Sequence, residues 1–60
     1  MDALTILKEN YEAAYSDYAS EDASSSLWDY LYDKVAILED LLKQCNQEDF
    51  IQEIWRKYPV

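Results

Sequence analysis

Apolar side chains recur at steps of three and four along the whole of this 60-residue chain, and no glycine interrupts them. That is the period of an amphipathic helix, and it leaves no competing strand pattern. In the first segment Leu4, Leu7, Tyr11, Ala14 and Tyr18 share a face, joined by Tyr15. Asp2 suits the N-cap, so the spacing predicts a helix over 3–18. At about 100° per residue, Glu9, Glu12 and Asp17 fall on its opposite side. Residues 19–25 are small and polar without periodicity, and read as a loop. Ser25 or Ser26 can then cap a second helix over 27–45; Ser26 with Asp29 resembles a capping box in which Asp replaces Glu.

In the second helix Trp28, Leu31, Val35, Leu38, Leu42 and Cys45 again step by three and four. Leu27, Tyr30, Ile37 and Leu41 widen its apolar arc to roughly half the circumference, as befits a central helix with two neighbours. Cys45, on that arc, reads as a small buried hydrophobe. Asp29, Asp33 and Asp40 form a narrow stripe on the remaining face, with Tyr32 at its edge. Asn46 suits either the end of this helix or the N-cap of the next, with Asp49 three positions on. Phe50, Ile51, Ile54, Trp55 and Tyr58 line one face of a third helix over 47–58. Arg56 and Lys57 occupy its last turn, where cations favour the helix dipole, and Pro59 stops it. The expected fold is all-α: a single domain, residues 1–60, forming a small antiparallel three-helix bundle. The same apolar positions also suit a helical hairpin that dimerises, so monomer and weak homodimer both stay open.

Charge is distributed very unevenly. Glu9, Glu12, Asp17, Glu21, Asp22, Asp29 and Asp33 lie in a stretch with no positive side chain, and they carry all but one unit of the net charge of −8. Elsewhere Glu39 with Lys43, and Glu53 with Lys57, stand at i,i+4 for local neutralisation. Asp29 and Asp33 are like charges at that same spacing. Self-repulsion of this kind destabilises a compact state, and a chain this short has a marginal core. A basic partner would give the block a function.

Several chemistries are excluded or disfavoured. Without glycine there is no phosphate-cradling loop, and no tight turn needing positive φ is expected. Without histidine the commonest general base and metal ligand are missing. The segment Ser20–Ser26 lacks the ligand spacing and the glycine of a calcium loop. Thirteen carboxylates contain close pairs by chance, but three short helices offer little pocket to shift their pKa values. An enzyme is not expected, nor a cofactor. The single Cys45 cannot form an internal disulfide, and no stretch resembles a signal peptide or membrane span, so a cytoplasmic protein is expected. The acidic balance argues against direct binding to nucleic acid or anionic membranes.

Carboxylates fixed on helices imitate the negative charge of a nucleic-acid backbone, and each can accept both bonds of an arginine fork. The candidate partner-binding residues are therefore Glu9, Glu12, Asp17, Glu21, Asp22, Asp29, Asp33 and Asp40, with Tyr32. Tyr32 reads equally as an exposed bystander or as a ring that stacks on a partner's arginine. In composition and charge layout the chain resembles very small, acidic, tyrosine-rich, glycine-poor inhibitors of phage type, including anti-CRISPR and anti-restriction nucleic-acid mimics. That resemblance implies a nuclease or CRISPR effector complex as target, steric or charge-mimicking blockade as mechanism, and the host cytoplasm as location if the chain is phage-encoded. The competing class is a helical adaptor or assembly subunit that binds through exposed apolar residues such as Ile37, Leu41, Trp55 or Tyr58.

Overall fold

A computed structural model describes residues 2–59 as three helices: α1 (Ala3–Ser20), α2 (Ser26–Gln44) and α3 (Glu48–Lys57). The boundaries of α1 and α2 follow from local hydrogen bonds. Asp2 caps α1, its Oδ1 accepting from the Thr5 amide at 2.7 Å, and this bond holds its carboxyl below the usual carboxylate value. The helix runs two residues past Tyr18. Ser20 Oγ donates to the carbonyls of Ser16 and Asp17, and the Glu21 amide donates to Tyr18, so carbonyls at the helix end are satisfied.

The connection to α2 is built by Asp22. Its carboxylate accepts from the Ser24 amide at 3.0 Å and its carbonyl from the Ser25 amide at 2.9 Å. Ser25 then caps α2 through Oγ, which accepts from the Leu27 amide. With Ser25 as the cap, the third helical position is Trp28, so the Ser26–Asp29 capping box does not form. Asp29 instead sits in the first turn, where its charge favours the helix dipole.

Asn46 ends α2 in the left-handed region, at φ 61°. The Gln47 amide donates to Leu42 O at 2.9 Å and the Asn46 amide to Lys43 O at 3.1 Å, the bond pair of a Schellman motif. A chain without glycine thus does make a turn that needs positive φ. Asparagine supplies it because its short polar side chain tolerates this conformation. Asn46 is committed to the end of α2, so the N-cap of α3 falls to Gln47, which makes no side-chain bond there.

The helices form an antiparallel bundle. Near the first loop Tyr18 meets Trp28 and Tyr32, and two turns further along Tyr11 reaches Glu39, so α1 and α2 run in opposite directions. Phe50 packs by Tyr11 and Tyr58 by Tyr15, so α3 returns in the direction of α1. The core is small: Tyr11, Ala14, Val35, Leu42, Ile51 and Ile54 are buried. Around it lie half-buried Leu4, Leu7, Tyr15, Tyr18, Leu38, Phe50 and Tyr58. The whole measures 34 × 20 × 19 Å. No helix among the described residues is long and apolar enough to cross a membrane.

With ten residues, α3 spans about 15 Å and covers one flank of the α1–α2 hairpin, ending short of the Tyr18–Trp28–Tyr32 end. The other flank stays open. Leu27, Tyr30, Ile37 and Leu41, expected to meet a second neighbour, are exposed. Cys45 is exposed as well, correcting its reading as a buried residue. It lies at the edge of the apolar arc in line with Leu27, one residue beyond the last turn of α2, where no helix packs over it.

The turn at Asn46 yields a direct expectation. Asn46→Gly should leave the urea-unfolding midpoint unchanged or raise it. Asn46→Val should cost about 1–2 kcal/mol, because a β-branched residue is strained in the left-handed region. Equal stability of the two variants would show that the turn does not depend on this conformation.

Candidate functional site

The seven clustered carboxylates divide into three groups. Glu9 and Glu12 stand on the side of α1 toward α3, bordering a depression with Ala13, Ser16 and Tyr58. Glu12 is engaged there: it accepts from Lys57 Nζ at 2.7 Å and from the Tyr58 hydroxyl at 2.9 Å. These bonds lower its carboxyl pKa from the ordinary value of 4.5 and raise that of Lys57. Lys57 therefore pairs across helices, not with Glu53 in its own helix as the i,i+4 spacing predicted. Glu21 and Asp22 belong to the first loop, Asp22 spending one oxygen on the turn.

The third group is separate. Asp33 borders a groove of about 520 Å³ on the open flank, with Asn10, Tyr30, Lys34, Ile37 and Leu38. Asp29 and Asp40 continue the same outward stripe, and Asp40 accepts from Gln44 Nε2 at 3.4 Å. Asp17, at i+7 from Asn10, shares the helix face that borders this groove. Glu9 and Glu12 of α1 thus do not join the aspartate stripe of α2. Glu9 and Glu12 face the α3 side, while Asp17 and the α2 stripe flank the opposite, apolar groove. Among the described residues the ion pairs are Lys57–Glu12 and Lys43–Glu39. Glu9, Asp17, Glu21, Asp29, Asp33 and Asp40 take part in neither.

Tyr32 is exposed, but it is not isolated. Its ring stacks on Trp28 at 5.5 Å and 22°, and lies 6.0 Å from Tyr18. Tyr18 in turn meets Tyr15 edge-on at 5.6 Å. The three tyrosines belong to a second groove, of about 250 Å³, lined by Tyr15, Tyr18, Tyr32, Val35, Ala36, Glu39 and Trp55. It lies where α3 runs out and the hairpin continues.

Glu39 is the residue that sequence reasoning passed over. Its spacing to Lys43 is legible, and the pair forms at 3.5 Å. Exposed pairs of this kind contribute about 1 kcal/mol or less. The more telling contact is with Tyr11, whose hydroxyl donates to Glu39 Oε1 at 3.1 Å while accepting from Trp55 Nε1 at 3.2 Å. Those partners are 28 and 44 residues from Tyr11, so no local pattern announces them. Burial, and to a lesser degree the Glu39 charge, push the Tyr11 hydroxyl well above its ordinary value; the Trp55 bond acts the other way. The Tyr15 hydroxyl is raised too, by burial first and then by Tyr18 and Glu39.

Two expectations follow from these bonds. Tyr11→Phe leaves the Trp55 indole without its acceptor and should lower stability by about 1 kcal/mol in urea unfolding. An unchanged midpoint would show that the bonds contribute nothing net. Glu12 has a depressed pKa in the folded state, so its stabilisation is present above pH 4.5 and is lost as pH falls through the folded value. Glu12→Gln should accordingly lower the urea midpoint at pH 7, by a deficit that shrinks steadily as pH falls below 4.5; a deficit that stays constant on acidification would refute the linkage. No known family model matches the chain, and no curated protein or solved structure matches it.

Proposed function

We propose that this chain is an acidic inhibitor that binds a basic, nucleic-acid-handling protein and blocks its DNA- or RNA-binding channel, with a nuclease or CRISPR effector complex as the target class. The observation that carries this is the set of helix-borne carboxylates, Glu9, Asp17, Asp29, Asp33 and Asp40, that make no ion pair among the described residues. Rigid helices hold them, so little ordering cost remains on binding. Asp29, Asp33 and Asp40 span about 16 Å of α2, a length over which duplex DNA carries roughly ten phosphates. The imitation is therefore of a few phosphate positions, not of a whole duplex. Attraction of this type speeds association and weakens with salt. A cytoplasmic site of action goes with such a target.

One observation favours a second reading. Leu27, Tyr30, Ile37 and Leu41 form an exposed apolar strip beside the aspartate stripe, as an adaptor or assembly subunit would present.

Capture from a bacterial lysate at low salt separates the two. Under the inhibitor reading the immobilised protein retains nucleic-acid enzymes, duplex DNA or RNA elutes them, and raising salt from 50 to 500 mM weakens retention at least tenfold. The double variant Asp33→Lys/Asp40→Lys should lose them while keeping its helical circular-dichroism signal; Asp29 is spared because it supports the first turn of α2. Retention that survives salt and charge reversal but fails on Ile37→Ser/Leu41→Ser would establish the adaptor instead.

A further inference from the structure

We propose that the groove between Tyr32 and Trp55 is a seat for a single arginine side chain of the partner, its guanidinium held among aromatic rings and bonded to the Glu39 carboxylate. The layout of α2 makes the room. Trp28, Tyr32, Ala36 and Glu39 follow one another along one side of the helix, and the small Ala36 leaves a gap one turn long between the Tyr32 ring and the carboxylate. Trp55 closes the gap from α3, and Tyr15 and Tyr18 line it from α1. Tyr32 and Trp55 are 51% and 45% exposed, so the rings remain accessible to a ligand. One face of Tyr32 is stacked against Trp28.

Charge selects the occupant. Aromatic faces attract cations, most strongly when a carboxylate lies close by. A guanidinium fits better than an ammonium because it is planar, stacks on rings and presents a fork that matches a carboxylate. Glu39 is held for this use by the Tyr11 hydroxyl on Oε1. Lys43, 3.5 Å from Oε2 and half exposed, is the internal cation that a partner's arginine would displace.

The inference rests on the partner being basic, as proposed above, and adds where one of its cations goes. The test uses acetyl-arginine amide as probe, followed by tryptophan fluorescence of the intact protein. The neutral isostere acetyl-citrulline amide and tetramethylammonium serve as comparisons. The arginine probe should bind at least ten times more tightly than either. Ala36→Leu, which fills the gap with a good helix former at an exposed position, should weaken it at least tenfold. Lys43→Gln removes the competitor and should strengthen it about threefold, an effect that damage to the fold would not produce. Glu39→Gln keeps the acceptor for Tyr11 and should weaken the probe; if that variant unfolds, the Ala36 and Lys43 variants still decide. Equal binding of citrulline, equal binding of tetramethylammonium, or indifference to Ala36→Leu would overturn the assignment. If the seat fails while capture remains sensitive to salt and to Asp33 and Asp40 reversal, the basic-channel proposal stands without it.

Discussion

Tyr11 ties the three helices together. It is fully buried on α1, donates its hydroxyl proton to Glu39 of α2 and accepts from the indole of Trp55 on α3. A domain of this size hides too little apolar surface to be held by burial alone with much margin. A polar contact made inside such a core is costly unless each group finds a partner, and here each does. The same contact fixes where α3 lies. Phe50 and Tyr58 settle on either side of Tyr11 and Tyr15, and α3 then ends before the hairpin does.

That early end has two consequences. It uncovers the aromatic groove at the Tyr32 end of the hairpin, with Glu39 inside it. It also brings Lys57 back to Glu12, which removes one carboxylate from the free set. The remaining charge is not a single sheet. Asp29, Asp33 and Asp40 stand on the outside of α2 next to an exposed apolar strip, and Glu9 stands across the molecule near α3. A partner that meets the α2 face encounters negative charge and apolar surface together, so its affinity would draw on both.

Helical period and polarity were enough to read the all-α fold, the order of the helices and most of the core from the residues. Tyr11, Ala14, Val35, Leu42, Ile51 and Ile54 all lie on faces that the spacing marks as apolar. The helix ends were less legible, because they turn on single side-chain bonds. Ser20 extends α1 by bonding back to Ser16 and Asp17, and Ser25 rather than Ser26 starts α2. Asn46 adopts a positive φ that a chain without glycine is not expected to need. Cys45 and the outer half of the α2 arc read as buried but are exposed, since period marks which face is apolar but not whether a neighbour is long enough to cover it. For the candidate site, the exposure of Tyr32 followed from its helical angle. The pairing of Glu12 with Lys57 and of Tyr11 with Glu39 joins residues far apart in sequence, and no spacing rule reaches that distance.

If this molecule meets a basic partner through charge on the α2 side, as proposed, Tyr32 and Glu39 stand at the point of closest contact. The most direct measurement is a residue-by-residue amide chemical-shift map of the protein titrated with hexa-arginine at low salt. Perturbations should concentrate at Asp29, Tyr32, Asp33, Ala36, Glu39 and Asp40 and be reversed by added salt. Perturbations confined to Leu27, Tyr30, Ile37 and Leu41, or an unlocalised response over every carboxylate including Glu48 and Glu53, would contradict it.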